Sequence, residues 1–312
     1  MAKYTSIGGQ ALIEGIMMKS PEKTALAVRM PDKSIDITYL NGKSVREKYK
    51  ILKLPILRGI AGFIESMLQG YKAMMLSADK SGFTDLDEEE KEKTESEKKK
   101  EGALMSVIMV IASVLGVALA VVLFMLLPTF LAGLVDPYIH SAALHNLIEG
   151  VVKVAVFLGY LILCSKQKDV KRVFAYHGAE HKTIFCYEAG LELTVENARK
   201  QPRHHPRCGT SFLFVVIIVS ILFSSVVFSF VEWKILWVRV AVHILLLVPV
   251  VGITYEFNRY VGGHNNAVTR FLSKPGLWMQ NFTTFEPDDA MLEVAIEALK
   301  LVLPDEKGAD KW

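Results

Sequence analysis

Between Phe174 and Gly190 the chain reads FAYHGAEHKTIFCYEAG, which sets two histidines and two acids in an otherwise aliphatic and aromatic stretch. Residues four apart share a helix face, so His177 and His181 would present their imidazoles side by side with Glu180 next to them. The spelling His-x-x-Glu-His matches the inverted zinc-protease signature, in which the histidines hold a metal and the acid takes a proton from water. Glu188 lies seven residues beyond His181 and returns to the same face, which makes it a further candidate ligand. The plainer reading of this stretch is a polar helix that contains histidine.

A second group follows closely. RHHPRCGTSF supplies His204, His205 and Cys208, and His205-Pro-Arg-Cys208 has a ligand-like gap of two residues. Pro206 and Gly209 favour a turned backbone that directs both side chains one way. The alternative is that His205 and Cys208 cap a membrane helix. Zinc suits mixed nitrogen and sulfur donors, so His177, His181, His205 and Cys208 form the expected metal set. Glu180 is the candidate base, and Arg207 or Arg259 could stabilise negative charge on a reacting oxygen. GGQALIEGIMM adds Gln10 and Glu14, while Glu256, His264, Asn265 and Asn266 surround the pair Gly262-Gly263, where glycine permits close approach or positive φ in a binding loop.

The elements that must position these residues are membrane spans. The chain has 312 residues, 51% apolar, with a net charge of only +3, which gives no pointer to nucleic acid. Ala103–Val135 carries no charge, and about 20 apolar residues suffice to cross a bilayer. Similar runs are Ile148–Cys164 with Lys153, Phe212–Val231, and Ile235–Tyr255 with Arg239, His243 and Pro249. These make four expected crossings. Glu149, Lys153, Arg239 and His243 are ionisable groups inside or at the edge of the runs, most of them near the outer ends, where snorkelling explains them without a transport pathway.

Positive residues concentrate between the second and third runs, at Lys166, Lys168, Lys171, Arg172, Lys182, Arg199, Lys200, Arg203 and Arg207. The loop 166–209 and both termini are therefore expected in the cytosol, in a bacterial cytoplasmic membrane and without a cleaved signal peptide. Cys164, Cys186 and Cys208 then lie on or near the reducing side, which disfavours disulfides.

The expected fold is a mainly α polytopic membrane protein with five segments. Residues 1–45 read as a small β-rich unit: ALIEGIMM is strand-like, and TALAVRM and SIDITYL are alternating strands about a Pro-Asp-Lys turn. Residues 46–78 hold an amphipathic interfacial helix, with Arg58, Glu65 and Lys72 on one stripe, or else a fifth span. Residues 79–102 are a charged linker without chemistry. The membrane domain covers 103–256, and 257–312 ends in an amphipathic helix from Pro287 and Asp288 that needs a partner surface.

Four motifs in order, GGQALIEGIMMKSP, YHGAEHKTI, HPRCGTSFL and LWMQNFTTFEPDD, resemble the YqhQ-like family of bacterial membrane proteins. The resemblance spans nearly the whole chain. It implies a metal-dependent enzyme and no particular reaction, and it places His177, Glu180, His181, His205 and Cys208 in matching motifs, Glu188 at the acid that follows the first of them, and His204 outside them. Three functions stay open: a zinc-type hydrolase acting on a membrane-embedded peptide or lipid-linked substrate, a scaffold with a closed four-ligand metal site, and a carrier. An open ligand position separates the first from the second. In a cysteine-accessibility scan of intact cells, the loop 166–209 is expected to stay unlabelled from outside; outside labelling would invert the topology.

Overall fold

The computed structural model describes residues 4–40, 45, 49–83, 95–228, 230–231, 235–306 and 309–310, the side chains of 95–106, 109, 136, 142 and 236 excepted. Two compact units result. The first contains residues 1–84, 161–216 and 248–312, and the second contains residues 85–160 and 217–247.

In the first unit, β1 (Gly8–Leu12), β2 (Gly15–Lys19), β3 (Thr24–Arg29) and β4 (Ile35–Tyr39) form one antiparallel sheet in chain order. The stretch ALIEGIMM, expected as strand, is a hairpin. Leu12 pairs with Gly15 across a turn that holds Glu14 at φ 52°. Alternation is missing from β2 because both faces of the sheet are covered, which removes the pressure for polar residues on either. Ile16, Met18, Ala25 and Ala27 join one core, whereas Leu12, Met17, Leu26 and Val28 pack with Ala73 in another.

Helix α1 (Leu57–Lys80), which carries Ala73, covers the second face. The first face meets two helices, Lys168–Glu188 and Asp289–Val302. Numbered along the chain, these are α5 and α10. Met291, Leu292, Ala295, Ile296 and Leu299 of α10 are the expected apolar stripe, and the sheet together with Tyr176 and Ile184 of α5 is the partner surface it required. Asp288 caps α10 by accepting from the Met291 N–H at 2.8 Å.

The remaining helices are α2 (Glu95–Val121), α3 (Leu127–Gly133) after a π turn, α4 (Ala142–Ser165), α6 (Val195–Arg199), α7 (Gly209–Val227), α8 (Leu236–Gly263) and α9 (Ala267–Thr283). Four stretches, Val110–Gly133, Ala143–Ser165, Gly209–Val227 and Trp237–Gly263, are long and apolar enough to cross a membrane. The expected four crossings are thus present as helices. The glycine pair 262–263 does not make a loop: both residues complete α8, and among the described residues only Gly82 and Gly190 are glycines with positive φ. The chain turns one step later, where Asn266 and Thr269 form a reciprocal capping box that starts α9.

In the second unit the expectation of snorkelling ionisable residues fails. Glu149 is 2% exposed and accepts from Lys153 Nζ at 2.8 Å, Thr129 Oγ1 at 3.0 Å, and Arg239, with His243 Nε2 at 3.0 Å. Positions 149 and 153, and likewise 239 and 243, are one helical turn apart, so two facing stripes neutralise each other inside the unit.

One glycine controls the seat of α5. A Cβ on Gly178 would lie 2.0 Å from the Phe285 carbonyl oxygen, and Phe285 N–H donates to the Phe174 carbonyl at 2.9 Å, so the segment before α10 rests directly on the helix backbone. Gly178→Ala is expected to cost about 1–3 kcal/mol through overpacking, read as a lower unfolding midpoint in detergent. Gly159→Ala, where nothing lies within 4 Å of the added methyl, should leave the midpoint unchanged or slightly raised.

Candidate metal and hydrolytic site

His177 and His181 project from one face of α5, their ring centroids 4.4 Å apart. Each ring is oriented by a backbone carbonyl. His177 Nδ1 is 2.8 Å from the Thr283 oxygen and His181 Nδ1 is 2.5 Å from the Arg203 oxygen. A carbonyl can only accept, so each Nδ1 carries a proton, and in the neutral ring it is Nε2 that holds the free lone pair. His177 Nε2 lies 3.1 Å from Cys208 Sγ, and donor atoms of His177, His181 and Cys208 all fall within 4.8 Å of one another. Ligands at zinc distances sit about 3.5 Å apart around a tetrahedron, so two imidazoles and a thiol at this spacing suit a zinc-like cation. Burial holds the His181 pKa below its ordinary value, which keeps the ring neutral and able to coordinate.

The loop that brings Cys208 here is fixed by a side chain the sequence reading did not single out. Gln280 of α9 is fully buried and brackets His205, accepting from its N–H and donating to its carbonyl, both at 2.8 Å. The same helix end supplies the Thr283 carbonyl. Arg203, Thr283 and Gln280 are therefore the unforeseen members of the site. The two carbonyls have no side-chain signature, whereas Gln280 was visible as an amide within the apolar run LWMQNF.

His205 departs from its expected role as a ligand. Its ring lies beside that of His181, centroids 5.5 Å apart, but Nε2 faces Glu188 at 3.7 Å and Arg207 at 3.2 Å, and Nδ1 faces the Arg207 N–H at 3.3 Å. Burial lowers its pKa. Glu188 likewise belongs to this network: it accepts from Arg207 Nη2 and from the Thr5 N–H at 2.9 Å. Burial alone would raise the Glu188 carboxyl, but His205, the Thr5 N–H and Arg207 outweigh it and hold the pKa below 4.5.

Glu180 is buried one residue before His181 and accepts from the Gly9 N–H of β1 at 2.9 Å. No lysine or arginine pairs with it among the described residues, and burial raises its pKa. A Cβ on Gly9 would lie 3.0 Å from the Glu180 carboxyl carbon, so glycine lets strand and acid meet. Glu180, His181 and Cys208 line a cavity of about 380 Å³ whose other walls include β1 and, from α1, Ser66 and Gln69. Arg207 and Gln10 also line it, the former while paired with Glu188.

The other candidates lie elsewhere. Glu14 binds Arg172, with its second oxygen 2.7 Å from the guanidinium and 3.2 Å from the Tyr176 hydroxyl, so it faces the turn of α5 before the histidines and not the cavity. Glu256 takes Arg58 and the Ile56 N–H, latching the start of α1. His264 is exposed and stacks on Tyr260, bonding its carbonyl at 2.8 Å. Arg259 is absent from the cavity wall.

A family model described as a protein of unknown function, DUF1385, matches residues 54–305, which include the histidines, Cys208, Glu180 and Gln280 but not Gly9. The uncharacterised protein YqhQ of Bacillus subtilis strain 168 is 38% identical over 298 residues, 95% of this chain and 92% of that one. No solved structure matches.

Because Glu188 has a depressed pKa, the stability it contributes is complete above its ordinary pKa of 4.5 and is lost as pH falls through the lower folded value. Glu188→Gln is expected to destabilise the protein by about 1–3 kcal/mol at pH 7, since it leaves Arg207 without its buried counter-charge. Unfolding midpoints of the two proteins should converge as pH is lowered below 4.5; a gap that persists there would assign the loss to packing instead.

Proposed function

We propose that this chain, which belongs to the DUF1385 family of proteins of unknown function, is a membrane-embedded, metal-dependent hydrolase with its centre at His177, His181 and Cys208. One observation carries this reading. Both histidines commit Nδ1 to backbone carbonyls and turn Nε2 toward one thiol, beside a cavity into which an acid without a cationic partner is buried. Ligand histidines held through their second nitrogen are the usual arrangement around protein metals. Three protein donors leave a position for water, whereas the closed alternative needs His205, whose ring is engaged by Glu188 and Arg207.

A divalent cation of the zinc type would supply Lewis-acid activation of water and of the substrate oxygen. Glu180 takes the proton of the attacking water and passes it to the leaving group, a role that a raised carboxyl pKa favours. The Gly9 N–H holds one Glu180 oxygen, so the other is directed to the proton in transit. Arg207 lies on the cavity wall and offers positive charge to an oxyanion while Glu188 positions it. Loop charge supports a site on the cytosolic side of the bacterial membrane, where a membrane-embedded peptide or a lipid-linked compound would meet the cavity.

A second reading uses Cys208 as nucleophile and His177 as its base. The Sγ–Nε2 separation of 3.1 Å favours it, as does the place of Cys208 immediately before α7.

Metal content separates the two. His181→Ala is expected to lose most of the metal and the thermal stabilisation that added zinc confers on the wild type, because one of three donors is gone. Glu180→Gln should retain both while turnover drops about 10²–10⁴-fold. Elemental analysis of purified wild type without metal after zinc loading would sink the hydrolase reading and leave the thiol dyad.

A further inference from the structure

Helix α9 carries an apolar face that the protein leaves uncovered. Val268 is 64% exposed, Phe271 67% and Trp278 50%, and with Leu272 they recur at helical spacing along one stripe. Thr269, Gly276, Gln280 and Thr283 are buried on another side, and Met279 is buried in the last turns at the edge of the stripe, so the exposed residues are not the ones that hold the site. Helix α1 repeats the pattern with Ile64, Leu68 and Tyr71.

Both helices are fixed to the ends of membrane-crossing stretches. Three residues separate the end of α8 from the start of α9, and a Cβ on Gly276 would meet Ser211 Oγ in the first turn of α7. In α1, Arg58 pairs with Glu256 of α8, and Phe63 stacks on Phe212 of α7 at 5.8 Å. The start of one span and the end of the other meet here, at the level where bilayer gives way to water. Charge follows the same division. Arg270 and Lys274 are exposed on the side of α9 next to the apolar stripe, and Lys274 Nζ lies 5.9 Å from the Phe271 ring. An apolar stripe with tryptophan, flanked by long cationic side chains, suits acyl chains on one side and lipid phosphates on the other.

We infer that α9 lies in the plane of the membrane, with Val268, Phe271, Leu272 and Trp278 among the acyl chains of one leaflet and Arg270 and Lys274 at its phosphates, and that α1 flanks it in the same leaflet. The inference stands apart from the metal reading. Its consequence for the site is that Gln280 and the Thr283 carbonyl are presented by a helix anchored in lipid.

The chain contains four tryptophans, at 233, 237, 278 and 312. With Trp233, Trp237 and Trp312 replaced by phenylalanine, the full chain would be reconstituted into phosphatidylcholine–phosphatidylglycerol vesicles. Trp278 is expected to lose most of its emission when the acyl chains carry bromine, and little with aqueous iodide. The same result is expected from Phe271→Trp placed in that background together with Trp278→Phe, which guards against a fault peculiar to one position. Quenching by iodide alone would show a solvated helix, and protection from both quenchers would show a protein neighbour such as a second copy; either result overturns the inference.

Discussion

The contact between the Phe285 carbonyl and the bare Cα of Gly178 is the constraint from which the rest of the site follows. With no side chain at 178, the segment leaving α9 lies flat on α5, and Thr283 reaches the ring of His177. That placement also puts Gln280 beside the loop before α7, where it grips both polar groups of the His205 backbone. The gripped loop delivers the Arg203 carbonyl to His181 and the Cys208 thiol to both imidazoles. Segments distant in sequence are thus registered to one helix by hydrogen bonds that, being buried, cannot be exchanged for water at low cost.

The same physics separates Glu180 from the other buried or half-buried acids. Glu188, Glu14, Glu256 and Glu149 each hold at least one guanidinium, and for Glu188 and Glu256 the pKa lies below its ordinary value. A carboxylate so paired is a poor base and a good staple. Among the described residues Glu180 has only the Gly9 N–H as a hydrogen-bond donor, and it lies near His177 on the cavity wall. Burial without a cation raises its proton affinity, and raised proton affinity on a cavity wall is what distinguishes a proton carrier from a structural ion pair.

Legibility in the sequence tracked how local each relation is. The four crossings could be read from run length, and the pairing of His177 with His181 from helix periodicity, because both are set by neighbouring residues. The His205–Cys208 gap misled because two residues on a turned backbone do not fix side-chain direction. Glu188 and Arg207, one on α5 and one in the loop, capture the His205 ring and leave Cys208 to the metal-type cluster. Glu14 was drawn to the site by its strand, but its position at a hairpin tip with positive φ carries it one turn away, to Arg172. Gly262 and Gly263 looked like a loop and are helix, since glycine costs a helix only about 1 kcal/mol and the capping box at Asn266 provides a stronger stop.

Whether three donors or four converge decides what the centre can do, and the geometry bears on that through His205. For its Nε2 to join the cluster, the ring must give up its contacts with Glu188 at 3.7 Å and Arg207 at 3.2 Å, while those two residues stay paired with each other. The network behind His205 holds its ring beside the cluster of His177, His181 and Cys208. The loop does not depend on that ring for its anchorage, because Gln280 already holds it by the His205 backbone.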